Sequence, residues 1–205
     1  MDLKSTYNKI AEDWHRDHQS DEWWIEGTEK FISCLASGNL VLDVGCGGGT
    51  KSRYLARRGL RVMGIDFSEK MIEIAKREVP EARFEVMDLR DVKNINETFD
   101  GIFAQAVLLH IPRQEVEGAL ETLASKLKSG GCFYLAVKAM KPGGNAEEIV
   151  SENDYGYPYG RFFSYYTLEE LKKYFSDLRM KISYESVSSS GNTEWIQIIA
   201  RRVEE

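Results

Sequence analysis

The 205-residue chain has little of several things, and each scarcity narrows what it can be. It has three cysteines, Cys34, Cys46 and Cys132, none in a C-x-x-C pair. Neither a disulfide framework nor a thiolate zinc site is written into it, and a reducing cytoplasm is the expected compartment. Its three histidines are His15, His18 and His110. His15 and His18 lie three apart on an expected helix with no third ligand in view, so they read as exposed helix histidines and no metal is expected. Basic charge is short: 27 Lys and Arg stand against 33 Asp and Glu, a net charge of -6. A general nucleic-acid binder would show a basic face instead. The one basic cluster, Lys51, Arg53, Arg57 and Arg58, reads as the solvated face of a helix. No apolar run reaches the roughly 18 residues that span a bilayer. The opening MDLKSTYNKIAEDWHRDH is polar and charged where a secretory signal would be apolar. No Ser/His/Asp or Cys/His set points to a protein nucleophile.

What is present is an ordinary globular composition, 42% apolar and 29% charged, and a length that suits one domain. Two amphipathic helices come first. Tyr7, Ile10, Ala11, Trp14 and His18 share one face over 4–18, and Trp24, Thr28, Phe31, Ile32 and Leu35 share one over 22–36. Strands follow at 40–44, 60–65, 83–87, 99–105 and 132–138, with helices between them. Alternation of this kind signals βαβ units and a parallel sheet covered on both faces. Residues 142–166, broken by Pro142, Gly143, Gly144, Gly156, Pro158 and Gly160, read as loop. Thr167-x-x-Glu170 is a capping box for a helix, and strands at 181–188 and 195–201 form a closing hairpin.

The chain is organised around LVLDVGCGGGT, Leu40 to Thr50. An apolar strand runs into a glycine turn and then a helix start, which leaves backbone N–H groups exposed to a ligand. A dinucleotide fingerprint, G-x-G-x-x-G, would need a glycine at position 50, where Thr50 stands. The pattern present is D-x-G-x-G-x-G, from Asp43 through Gly45, Gly47 and Gly49. Three further features fall at strand ends, which right-handed crossovers gather on one edge of the sheet. Asp66 closes the second strand and Phe67 follows it; a carboxylate there can accept from both hydroxyls of a ribose, or it can simply favour a helix N-terminus. Asp88, between Met87 and Leu89, closes the third. Phe99 to Pro112, FDGIFAQAVLLHIP, spans the fourth.

In order and spacing, these elements over 40–140 resemble the class I S-adenosylmethionine-dependent methyltransferases. The phrases YNKIAEDW and GRFFSYYTLEEL resemble the small-molecule branch related to quinone biosynthesis. The resemblance implies a doubly wound, seven-stranded, mostly parallel α/β sheet, Rossmann-like, whose last strand inserts antiparallel. It divides a single domain into an N-terminal helical lid (1–38), a cofactor core (40–140), a substrate-cap loop (141–166) and a C-terminal helix and hairpin (167–205).

It also implies the ligands. The cofactor is S-adenosylmethionine, leaving as S-adenosylhomocysteine. Asp43, Gly45, Cys46, Gly47 and Gly49 would take its methionine part and Asp66 with Phe67 its ribose. Met87, Asp88 and Leu89 would meet the adenine, and Ala104 and Gln105 would lie beside the sulfonium. His110 is the candidate base. Tyr7, Trp14, Trp24, Tyr157, Arg161 and Phe163 are candidates for lid and acceptor pocket. The reaction implied is in-line transfer of a methyl group to a small-molecule acceptor, with neither nucleic acid nor membrane as partner, in a monomer or homodimer. The rival reading is a non-catalytic S-adenosylmethionine-binding sensor or partner subunit.

Overall fold

The computed structural model describes residues 2–203. Its elements run α1 (Leu3–Asp17), α2 (Ile25–Ser33), β1 (Leu40–Val44), α3 (Thr50–Arg57), β2 (Arg61–Asp66), α4 (Glu69–Glu78), β3 (Arg83–Val86) and β4 (Phe99–Gln105). They continue with α5 (Arg113–Ser125), β5 (Leu127–Lys138), β6 (Glu147–Glu152), β7 (Tyr159–Ser164), α6 (Leu168–Asp177), β8 (Met180–Ser190) and β9 (Thr193–Arg202). Seven strands form one sheet in the order β3-β2-β1-β4-β5-β9-β8. The pairs from β3 to β5 are parallel, and β9 lies antiparallel to both its neighbours. The expected α/β sheet with an inserted antiparallel last strand is therefore present.

Helices cover both faces, so the central strands are apolar throughout rather than alternating. Val41, Leu42, Ile102, Phe103, Phe133 and Tyr134 are all inaccessible to solvent. Strand order reverses between β1 and β4, which opens a crevice beyond their C-terminal ends. Local signals set the helix starts: Ser68 Oγ accepts from Met71 N at 3.2 Å, and Thr167 with Glu170 closes the capping box.

Three expectations need correction. Residues 142–166 are not loop throughout: β6 and β7 pair antiparallel from Glu147–Ser164 to Glu152–Tyr159. Their pattern is hard to read because only one face of the ribbon packs, β7 against α1 and the 3-10 turn Leu108–His110. Neither His15 nor His18 is exposed: His15 is buried, packed on the glycine turn so closely that a Cβ on Gly48 would sit 2.2 Å from its Nδ1, and His18 is half-buried, stacked on Trp14 at 4.2 Å. Lys51 is half-buried and faces inward, unlike the exposed Arg57 and Arg58. Among the described residues no helix is long and apolar enough to cross a membrane.

Candidate active site

The glycine turn is built by backbone geometry. Gly45, Gly47 and Gly49 have φ of 68°, 52° and 85°, the left-handed region that glycine enters without strain. A Cβ on Gly45 would lie 2.6 Å from Val107 Cγ2, so the turn and the segment after β4 pack in direct contact. Beneath the turn Asp43, 2% exposed, accepts from Ser52 Oγ at 2.5 Å, and burial raises its carboxyl to about 6. It does not line the crevice. Its place is under the turn, tying β1 to α3, and this corrects the expectation that it reaches the cofactor.

Asp66 does face the crevice. Its Oδ2 accepts from Gly47 N at 3.0 Å and its Oδ1 from Ser68 N at 2.8 Å. One carboxylate thus fixes the turn after β1 against the turn after β2. Burial lifts it to about 6 against the pull of those two N–H groups.

A cavity of about 310 Å³ opens here. Gly45, Cys46, Gly47, Asp66, Phe67 and Gln105 line its floor; Tyr7, Trp14, His18, Arg161 and Phe163 close it from above. Two polar atoms in it are buried without a partner, Gln105 Oε1 and Trp14 Nε1. Burying an amide oxygen or an indole N–H unpaired costs roughly 1–3 kcal/mol, a cost that a polar ligand group reaching either atom would recover. A second hollow of about 690 Å³ adjoins it, lined by Phe67, Met87, Asp88 and Leu89. Asp88 there caps a 3-10 turn, Oδ1 accepting from Arg90 N at 2.9 Å.

The upper wall holds a polar chain. Tyr7 Oη lies 2.7 Å from His110 Nε2, and His110 Nδ1 lies 2.7 Å from the Phe162 carbonyl oxygen. A carbonyl can only accept, so Nδ1 carries the hydrogen and Nε2 accepts from the tyrosine. Burial holds the ring neutral, its imidazolium displaced to about 3. Arg161 Nη1 approaches Tyr7 Oη at 3.5 Å while its fork grips Glu152 at 2.6 and 2.5 Å.

Four more expected residues lie elsewhere. Gly49 is turned toward Ala75 and Val79, where a Cβ would sit 3.2 Å from each, and does not line the cavity. Ala104 is wholly buried in the core below the sheet edge; the next residues, Gln105 and Ala106, reach the cavity instead. Trp24 turns down onto Tyr54, centroids 5.0 Å apart, while Trp23 lines the cavity and stacks on Trp195 at 4.0 Å. Tyr157 packs outside, its hydroxyl 3.2 Å from Asp13 Oδ2. Missed residues are Ala106, Lys138 and Trp195. Ala106 carries φ 55°, an uncommon conformation for a non-glycine residue at the end of β4. No sequence signal marks it. Among the described residues no group of three or more His, Cys, Asp or Glu could hold a metal.

Residues 41–131 match the family model described as a methyltransferase domain. The chain is 34% identical over 118 residues to a ubiquinone biosynthesis O-methyltransferase of Azoarcus sp., covering 55% of this chain and 48% of that one. The corresponding protein of Rhizobium rhizogenes is 32% identical over 134 residues, covering 63% and 52%. The chain thus spans about half the length of these curated relatives. Among solved structures, a 1,6-didemethyltoxoflavin-N1-methyltransferase of Burkholderia thailandensis superposes with a TM-score of 0.76 at 17% identity, covering 98% of this chain and 88% of that one. A magnesium protoporphyrin IX methyltransferase of Synechocystis, with S-adenosylmethionine bound, superposes at 0.70 with 21% identity, covering 98% and 95%.

Proposed function

We propose that this chain, which has the fold and the first motif of the class I S-adenosylmethionine-dependent methyltransferases, binds S-adenosylmethionine and directs its methyl group to a small-molecule acceptor. The observation that carries the reading is Asp66 in one crevice with the glycine turn, while Gln105 Oε1 and Trp14 Nε1 stand unpartnered in the same wall. Those groups fit the cofactor: a carboxylate for the ribose diol, an acceptor for the ammonium, a donor for the carboxylate. Asp88 and Leu89, in the adjoining hollow, would hold the adenine. S-adenosylmethionine supplies, when bound, a methyl group on a positively charged sulfur.

The chain's residues bind, align and exclude water, which is most of what such a displacement needs. The curated relatives are O-methyltransferases by name, and a hydroxyl acceptor suits the upper wall. Asp66, Gln105 and Asp88 would hold the cofactor so that the acceptor oxygen takes its methyl carbon and the neutral thioether leaves, the hydroxyl proton going to solvent. Tyr7 Oη, fixed as a donor to His110 Nε2, would accept from the acceptor hydroxyl and orient it. His110 is thus a positioning residue behind Tyr7 rather than a base, since both its ring nitrogens are engaged and its imidazolium is displaced to about 3. Small-molecule specificity rests on α1 and the β6–β7 ribbon, which roof the cavity. The three free cysteines support a reducing, cytoplasmic setting, and a monomer or homodimer needs nothing further for the site.

The test is turnover: purified protein, S-adenosylmethionine and a panel of hydroxylated aromatic acids, phenols and quinols, with S-adenosylhomocysteine release as readout. Release that depends on an acceptor supports an enzyme. Cofactor binding without release on any acceptor favours the sensor or partner-subunit reading.

A further inference from the structure

Where β5 ends at the cavity stands a cation with no carboxylate partner of its own. Lys138 ends β5, two residues beyond Ala136, which pairs with Gln105 of β4. It lines the cavity and is half-buried. Among the described residues its ammonium has no carboxylate within ion-pair reach and no hydrogen-bond partner. Its Nζ stands 3.8 Å from the centroid of Phe163. The other cation at this end, Arg161, is already neutralised by the two-point grip of Glu152. His110 is uncharged. Asp21, Lys51 and Asp66 also line the cavity, but none of them forms an ion pair with Lys138, whose ammonium stands partly out of water, where a charge costs free energy until it is paired.

The walls around it are flat. Trp195 sits opposite Lys138 in the β5–β9 register, and Trp23 stacks on Trp195 with planes 11° apart. Phe163, Tyr7 and His110 line the same cavity, with the His110 and Phe163 centroids 5.1 Å apart. Aromatic faces favour a flat partner that offset-stacks or meets them edge-on.

We propose that the acceptor is a small aromatic molecule bearing one carboxylate, and that Lys138 is the residue that selects for it. The inference rests on the methyl-transfer reading and adds the substrate class. The Lys138 ammonium, with no carboxylate partner of its own, matches a monoanion such as a carboxylate better than a doubly charged phosphate ester. With the carboxylate at Lys138 and the ring between Trp195 and Phe163, a ring hydroxyl would be presented toward Tyr7.

The protonation of Lys138 adds a second readout. Burial brings its ammonium down to about 8; Arg161 presses it further down, while Glu152 and Glu148 on β6 draw it up. An anion at Nζ holds the proton on, so carboxylate affinity should be full below about 8 and weaken as pH rises through it.

Calorimetry with S-adenosylhomocysteine already bound tests this, with 3,4-dihydroxybenzoate and its neutral amide, 3,4-dihydroxybenzamide, as probes. The wild type should bind the acid about tenfold tighter than the amide near neutral pH, the scale of one charge-assisted contact. K138M should erase the preference and K138R should keep most of it. In the wild type it should shrink on moving from about pH 7 to about pH 9. Equal binding of acid and amide, binding of neither, or a preference that survives in K138M would overturn the inference. If K138M proves unfolded, the K138R and pH series decide in its place. Failure of S-adenosylhomocysteine to bind in the first step would instead overturn the cofactor reading beneath it.

Discussion

Asp66 Oδ2 accepts a hydrogen bond from the backbone N–H of Gly47 at 3.0 Å, joining the turn after β1 to the turn after β2. The carboxylate is held by the same loop whose shape it fixes. The two turns, proposed to hold ribose and methionine, are therefore one structural unit, and a change in either residue reaches both.

Replacing Asp66 by Ala should weaken S-adenosylhomocysteine binding by roughly 1.5–3 kcal/mol, the scale of hydrogen bonds to a charged group. The fold should survive, because the buried carboxylate is itself uncomfortable, as its rise to about 6 shows. Calorimetry reads the affinity and circular dichroism the fold; undiminished affinity would remove Asp66 from the site.

The raised carboxyls of Asp66 and Asp43 set a pH dependence with a definite sign. Both stand at about 6, above the roughly 4 of an unfolded aspartate. The folded apoprotein therefore holds protons more tightly than the unfolded chain. This contribution to stability is full below about pH 4 and is lost as pH rises through about 6. Cofactor affinity runs the other way, falling as pH drops below about 6, where Asp66 protonates. D66N should flatten the Asp66 share of both profiles in thermal melts and titrations; unchanged profiles would contradict the assignment.

Gly47 has φ 52°, and a Cβ there would meet only the Trp14 ring, at 3.5 Å. Gly47→Ala should thus cost about 1–2 kcal/mol of backbone strain, a fall in melting temperature of a few degrees. The added methyl should also narrow the floor of the crevice and lower S-adenosylhomocysteine affinity about tenfold or more. A variant that binds as well as wild type would show that the turn is structural alone.

Gln105 separates binding from stability. Its Oε1 is buried unpaired, so Gln105→Leu should leave the apoprotein as stable as wild type or somewhat more so, while weakening cofactor binding by about 1 kcal/mol or more. Thermal melts with and without S-adenosylhomocysteine give both numbers. A marked loss of apoprotein stability with unchanged affinity would show that the side chain serves the core.

Tyr7→Phe removes the hydroxyl that meets His110 and, on the proposed reading, the acceptor. Turnover should fall about 10²-fold while S-adenosylhomocysteine affinity holds, as expected when the group that positions the acceptor hydroxyl is lost. His110→Gln, with Tyr7 intact, should cost less. Equal and small effects on turnover in both variants would remove the Tyr7–His110 pair from the acceptor site.

The features legible in the sequence are those set by short-range rules. Strand and helix periods, the capping box at Thr167 and Glu170, and glycines forced to positive φ all declare themselves locally. So does an aspartate at a strand end, and Asp66 and Asp88 stand where the topology gathers strand ends. What stayed hidden depends on pairing across the chain. The β6–β7 ribbon gains its strand character only from its partner and from α1 beneath it. Trp23 and Trp24 differ by one residue, and the start of α2 at Ile25 decides which faces the cavity. Ala104 and Gln105 are equally apolar in setting because both faces of β4 are covered; the end of the strand separates them. Lys138 carries no motif, and its meaning appears only when Arg161 and Glu152 are seen paired beside it.

On the proposed reading, the crevice around Gly47 and Asp66 is an S-adenosylmethionine site. The most direct test of that reading is a calorimetric titration of the purified protein with S-adenosylhomocysteine, with NAD as control and D66A as the second sample. Saturable binding near one molecule per chain, weakened in D66A and absent for NAD, is the predicted result. No binding of S-adenosylhomocysteine, or binding that D66A leaves untouched, would contradict it.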